Sequence, residues 1–313
     1  MAHERRLRLA VTGRNGQVTR ALQDRAGPDL DVLAVGRPEL DLASGEDLQA
    51  LFGALQADAI VNAAAYTAVD KAESERDLAL AINAKGAGRV AHAAAMLGIP
   101  IIQLSTDYVF DGTSSRPYRE DDQTTPVNHY GASKLAGEDA IRAATAKHVI
   151  LRTSWVYAPQ GQNFLRTMLR LAETRDEIRV VADQIGAPTS ALSIAAAIEK
   201  IARNLKDRPD QDRLYGLFHL TDGGETSWAG FAEEIFRLSK SQGGPAARVI
   251  PITTAEYPTP ARRPASSRLD LTKIGTEHSV VPPHWTEALR TAMAALAMDS
   301  GLTPPEQRLH LEG

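Results

Sequence analysis

The chain has 313 residues, and its 35 Lys and Arg against 39 Asp and Glu leave a net charge of −4, so no strong field draws it to nucleic acid or an anionic membrane. Cysteine is absent, which excludes disulfides, thiolate metal sites and a cysteine nucleophile and fits a reducing compartment, so a cytoplasmic protein is expected. The length suits one large α/β domain or two unequal lobes, and no apolar run is long enough to cross a bilayer.

The basic start, Met1 to Arg8, runs directly into a short apolar strand, Leu7–Thr12, without the apolar core of a signal sequence. Gly13-Arg14-Asn15-Gly16-Gln17-Val18-Thr19 follows and leads into a helix. Glycines in that position let the backbone turn tightly and approach a pyrophosphate. Thr19 stands where a third glycine would allow the closest helix-to-sheet packing, so the helix is expected slightly farther out.

A second strand, Asp31–Val35, ends just before Gly36-Arg37. Dinucleotide enzymes that use NAD commonly place an acid there, whereas a guanidinium suits a 2′-phosphate. Arg37, with Arg14 in the loop, therefore points to NADPH and leaves NADH open. Strands are predicted at Ala59–Asn62, Ile99–Leu104 and His148–Leu151, and amphipathic helices at Asp77–Leu97 and Tyr130–Thr145. This alternation is the pattern of a doubly wound parallel sheet, Rossmann-like, covered on both faces.

After Arg152 the alternation loosens around prolines and the Gly223-Gly224 and Gly243-Gly244-Pro245 turns. Helices remain predicted at Asn163–Thr174, Ser190–Asn204, Ser227–Ser239 and Trp285–Met298. The expected organisation is a dinucleotide-binding domain over residues 1–152, to which part of 185–222 returns. A smaller α/β substrate-binding lobe then occupies mainly 153–298, and 299–313 forms a surface tail.

The fourth strand delivers Ser105-Thr106-Asp107 to the carboxyl edge of the sheet, where open α/β sheets bind ligands. Downstream, Tyr130 precedes Lys134 by four residues, which puts phenol and ammonium on one helix face. The cation is expected to favour phenolate and bring a tyrosine acid toward working pH, and Thr106 to donate a hydrogen bond to a substrate carbonyl. Glu120-Asp121-Asp122 reads as a solvated loop and His129 as structural; no histidine spacing suggests a metal site, and none is expected.

These residues resemble the extended short-chain dehydrogenase/reductase superfamily, and more narrowly its dTDP-4-dehydrorhamnose reductase family. The likeness rests on the glycine loop, on Val61-Asn62-Ala63-Ala64-Ala65-Tyr66-Thr67-Ala68-Val69-Asp70-Lys71-Ala72-Glu73, and on Leu104 to Gly112. It continues through Tyr130 to Glu138, Leu151 to Tyr157, Asp183 to Thr189 and Arg263 to Ser267, covering the chain to about residue 270. The resemblance implies reduction of a 4-keto sugar on dTDP, most narrowly dTDP-4-dehydrorhamnose to dTDP-rhamnose, with NADPH.

By that likeness Thr106, Tyr130 and Lys134 form the catalytic triad. Gly13, Gly16, Gln17, Val18, Arg37, Asp41, Leu42, Ala65, Tyr66, Thr67, Leu104, Tyr130 and Lys134 would line the cofactor. Thr106, Asp107 and Trp155 would touch the sugar nucleotide, and Arg263 or Arg262 would meet its diphosphate through charge-assisted hydrogen bonds. Some relatives hold a divalent metal at a dimer contact through an acid shortly after the cofactor loop; this chain has Ala21 there, so the metal is not carried over. A homodimer stays open.

Three other functions compete. A dehydratase of the superfamily needs an acid and base pair beside the threonine, and here Tyr108 follows Asp107 where a glutamate would serve. A sugar-nucleotide epimerase uses similar Thr, Tyr and Lys groups but retains its nicotinamide through each turnover. A non-catalytic regulatory subunit would hold a nucleotide without needing a tuned proton donor.

Overall fold

The computed structural model describes residues 6–45 and 47–299. The segment read as a surface tail lies outside them beyond Asp299, the last residue of the final helix. Five strands follow the predicted order: β1 (Leu7–Thr12), β2 (Leu30–Val35), β3 (Ala59–Asn62), β4 (Ile101–Thr106) and β5 (His148–Thr153). The central β1 and β3 are short, nearly continuous apolar runs buried on both faces, while β2, at the sheet edge, is only partly buried.

A sixth strand, Gly216–His219, completes an all-parallel sheet in the order Gly216–His219, β5, β4, β3, β1, β2. Strand order reverses between β1 and β3, and the crevice at their carboxyl ends is where such sheets take ligands. Both β4 and β5 run two residues beyond the predicted ends, so Thr106 and Thr153 are themselves paired strand residues.

Helices cover both faces. On one, α1 (Gln17–Gln23) packs with a helix over Ala191–Asp207, whose Ile194, Ile198, Ile201 and Leu205 join the buried cluster of Leu9, Val11, Val61 and Leu151. On the other lie α2 (Leu48–Leu55), a helical stretch from Arg76 to Leu97, and the helix His129–Ala144. The helix predicted over Asp77–Leu97 is interrupted by a wide turn at Ala81–Gly86.

That turn has a partner. A Cβ on Gly137 of the His129–Ala144 helix would collide with the Asn83 carbonyl, so glycine lets the two helices close there. The Asn83 side chain accepts from the Tyr66 N–H at 2.8 Å and donates to the Tyr66 carbonyl at 3.0 Å and the Ser133 hydroxyl at 2.9 Å.

The rest of the chain builds a smaller lobe. Helices Phe164–Ala172, Trp228–Ser241 and Trp285–Asp299 pack with the paired strands Glu177–Val181 and Arg248–Ile252 around Leu165, Met168, Phe231, Ile235 and Leu289. Segments between the lobes are tied by polar contacts. Glu120, expected in a solvated loop, instead accepts the His219 N–H at 3.0 Å and so pins the end of the sixth strand. Among the described residues no helix is long and apolar enough to cross a membrane.

Candidate active site

The floor of the crevice is a buried chain of side chains across three strand ends. Thr12 Oγ1 donates to Asn62 Oδ1 at 2.6 Å, Asn62 Nδ2 to Gln103 Oε1 at 2.7 Å, and Gln103 Nε2 to the Leu104 carbonyl at 2.6 Å. With every partner in place, such a network fixes the relative heights of β1, β3 and β4. Thr12 Oγ1 also accepts the Ala64 N–H at 3.0 Å, drawing the loop after β3 toward the glycine turn.

Gly13 has φ +86°, and a Cβ there would press on the Ala64 backbone at 3.1 Å. Glycine therefore meets two demands at once, a left-handed turn and a close crossing. Thr19, in place of a third glycine, is fully buried, and its hydroxyl donates to the Thr12 carbonyl at 3.3 Å. The extra side chain is absorbed as a tie between α1 and β1.

Above this floor runs a cleft of about 660 Å³. Gly13, Gly16, Gln17, Val18, Arg37, Asp41, Leu42, Ala65, Thr67, Leu104, Tyr130 and Lys134 all line it. Tyr66 differs from the sequence expectation: its N–H is held by Asn83 and its phenol donates to Glu75 at 2.7 Å, so its side chain is committed away from the cleft. Arg37 and Asp41 stand together at one end, paired at 2.9 Å, with the Arg37 side chain 70% exposed; Arg14 pairs similarly with Glu39. Bare backbone at the glycine turn, a long cleft and guanidinium groups at its outer end fit a dinucleotide that carries an extra phosphate.

A second cleft of about 990 Å³ lies against the first and reaches into the small lobe. Thr106, Asp107, Trp155 and Arg263 line it, and Gln17, Thr67, Ser105, Tyr130, Thr153 and Val156 line both clefts. Tyr130 is thus part of a shared wall. Its phenol lies near the Thr106 side chain, whose hydroxyl donates to Asp107 Oδ1 at 3.1 Å, and its ring packs edge-on to Tyr108, with centroids 5.8 Å apart. Lys134 is buried one helical turn on, its Nζ donating to the Leu104 carbonyl at 2.6 Å.

The electrostatics differ from the sequence expectation. Burial, reinforced by the Asp107 charge, pushes the Tyr130 phenol above its ordinary value, against a lowering from Thr106, so the phenol holds its proton firmly. Burial lowers Lys134 to about 8 despite the opposing charge of Glu138. Burial also raises Asp107 to about 7, more than the nearby Ser267 and Thr106 side chains lower it; of its two oxygens Oδ1 accepts from the Thr106 hydroxyl at 3.1 Å and Oδ2 is buried without a partner among the described residues.

Trp155 adopts φ +50°, uncommon for a bulky residue, and stacks on Trp228 with centroids 3.8 Å apart and planes 12° from parallel. Gly186 leaves room for it: a Cβ there would lie 2.8 Å from Trp155 Cε2. Trp228 and Phe164 line the second cleft with it, and sequence reading did not single out either. The signal available was only an aromatic near a predicted helix start. Arg263 also lines this cleft but is already engaged, with Nη2 2.9 Å from Asp70 Oδ2. Arg262 is exposed, its carbonyl accepting from Asn128 Nδ2 at 2.8 Å.

Comparison with known proteins places this geometry. A family model described as the RmlD substrate binding domain matches residues 7–298. The chain is 50% identical over 293 residues to a dTDP-4-dehydrorhamnose reductase of Sinorhizobium fredii, covering 94% of this chain and 99% of that one. Against the Escherichia coli K12 enzyme of the same name it is 40% identical over 296 residues, covering 93% and 98%. A solved Bacillus anthracis dTDP-4-dehydrorhamnose reductase in complex with NADP has 36% identity and a TM-score of 0.85, covering 93% of this chain and 99% of that one. The chain belongs to the dTDP-4-dehydrorhamnose reductase family, within the extended short-chain dehydrogenases.

Proposed function

We propose that this protein reduces the 4-keto group of a dTDP-linked deoxyhexose, dTDP-4-dehydrorhamnose to dTDP-rhamnose, with NADPH. The observation that carries the reading is the position of Tyr130, a proton-holding phenol on the one wall common to a dinucleotide-shaped cleft and a larger second cleft. When bound, NADPH supplies the hydride.

The chain's own residues supply the rest. The glycine turn and the 13–18 loop hold the diphosphate of the cofactor, and Arg37 meets the 2′-phosphate. Thr106 and Tyr130 receive the sugar's ketone oxygen between them, and Tyr130 gives up its proton as the alcohol forms. Lys134, charged at neutral pH, is anchored on the Leu104 carbonyl at the same strand end. Trp155 and Trp228 offer the sugar nucleotide an aromatic surface.

NADPH consumption with dTDP-4-dehydrorhamnose, with the product's configuration at C4 identified, tests this reading. Stoichiometric oxidation and a single C4 alcohol support it; turnover without net NADPH loss would indicate an epimerase, and cofactor binding without turnover a regulatory subunit. Tyr130→Phe is expected to lower kcat by roughly a hundred- to ten-thousandfold while leaving NADP affinity near wild type. The absence of cysteine and of any apolar spanning helix among the described residues supports a cytoplasmic setting.

A further inference from the structure

Three successive residues at the end of β4 face three positions of the helix His129–Ala144. The Leu104 carbonyl accepts from Lys134 Nζ at 2.6 Å, Ser105 Oγ donates to Glu138 Oε1 at 2.6 Å, and the Thr106 side chain lies near enough to Tyr130 to lower its pKa. The helix partners stand at positions 130, 134 and 138, one turn apart on one face. Two of these contacts belong to the triad itself. The middle one does not, and it is the most heavily braced.

Glu138 is 1% exposed. Arg152 of β5, the sheet partner of Ser105, donates to it twice, from Nε to Oε1 at 2.9 Å and from Nη2 to Oε2 at 2.7 Å. Arg142, one turn further along the helix, adds a contact to Oε2 at 2.9 Å. One carboxylate therefore joins the two strand ends that carry Thr106 and Thr153 to the helix that carries Tyr130 and Lys134. A buried ion pair adds little net stability compared with an apolar pair, so its value lies in geometry and charge.

We propose that Glu138, braced by Arg152, is a positioning residue for the triad: it sets the register between β4 and the catalytic helix and places an anion one helical turn from Lys134. The proposal deepens the reductase reading and rests on it. The charged groups around Lys134 and Glu138 are Arg142 on the same helix and Arg152 on β5. His219, beside Arg152, is lowered to about 3 chiefly by burial and brings no charge near neutrality. Asp139, next to Glu138, is exposed and paired with Arg142 at 2.8 Å, and Asp107 lies beyond Tyr130.

The first test needs no turnover. In the full-length protein Lys134 is expected to titrate near 8, apart from the surface lysines, when followed by the 13Cε shift in NMR. Glu138→Gln leaves two cations near it without their anion and is expected to move that titration down by about one pH unit. Glu138→Asp keeps the charge but not the reach, so it should restore the titration and still lower kcat. An unmoved Lys134 titration in folded Glu138→Gln overturns the proposal.

Glu138→Gln strips a buried arginine of its partner and can fail to fold, so Ser105→Ala decides the positional half. It removes only the hydroxyl that ties the strand end to the carboxylate. The expected result is a kcat lowered about tenfold, with both KM values and NADP affinity measured by calorimetry within twofold of wild type. A wild-type kcat in Ser105→Ala overturns the proposal. If the wild-type protein does not reduce the dTDP-sugar, the reductase reading fails by itself, while the lysine titration still reports on Glu138.

Discussion

A phenol buried beside a carboxyl is a reluctant acid until substrate arrives, and Asp107 controls how reluctant. Above about pH 7 the Asp107 carboxyl is ionised and its charge raises the Tyr130 pKa further. Proton donation is then harder, so kcat for reduction is expected to fall as pH rises through 7. Asp107→Asn should erase that inflection and leave only the one near 8, where Lys134 loses its proton. Steady-state rates from pH 5.5 to 9, about one point per half unit, check this; an inflection at 7 that survives the substitution argues against the assignment. At the cleft's other end, Arg37→Asp removes a guanidinium from the side expected to face the 2′-phosphate. KM for NADPH should rise about tenfold with that for NADH nearly unchanged, since one charge-assisted contact is lost for one cofactor alone.

Among the elements, the helix His129–Ala144 bears most of the site, and its placement depends on two glycines. Gly131 and Gly137 flank Lys134, and a Cβ on either would strike a carbonyl oxygen, of Tyr108 and Asn83 respectively. Gly137→Ala would push the helix off the Ala81–Gly86 turn and is expected to cost about 2 kcal/mol, read as a lower midpoint in urea unfolding. Its kcat should fall with stability, because Tyr130 and Lys134 ride on the displaced segment. The helix itself was legible, its amphipathic pattern and the Tyr-to-Lys spacing marking its extent and face, and the structure adds Asn128 as its cap. The wide turn facing it was not. Nothing in Ala81–Gly86 breaks helical periodicity, and the deviation is tied to the contact with Gly137, some fifty residues away. The short helix α2 was missed although its signal is present: Leu48, Leu51, Phe52 and Leu55 follow the i, i+3, i+4, i+7 spacing after the cap Asp47.

For the molecule as a whole, local motifs revealed the cleft at the glycine turn, while the second cleft is assembled from distant segments. The glycine turn, the strand ends and Tyr130 with Lys134 each lie within a few residues of one another, so their chemistry shows in the sequence. Trp228, Phe164, Glu138 and Arg152 have roles that arise only when separate elements meet. Trp228 is the clearest case: it stacks on Trp155 from a helix more than seventy residues away. Trp228→Ala is expected to raise KM for the dTDP-sugar about tenfold and leave KM for NADPH unaltered, as initial-rate kinetics would show.

Among the described residues, Gln17, Thr67, Ser105, Tyr130, Thr153 and Val156 form the partition common to the two clefts. Beyond it each cleft has its own lining, although the segments after β3 and at the end of β4 serve both, Ala65 and Leu104 facing the first and Val69, Thr106 and Asp107 the second. A change at Phe164 or Trp228 therefore touches the second cleft alone, and a change at Arg37 or Asp41 the first alone.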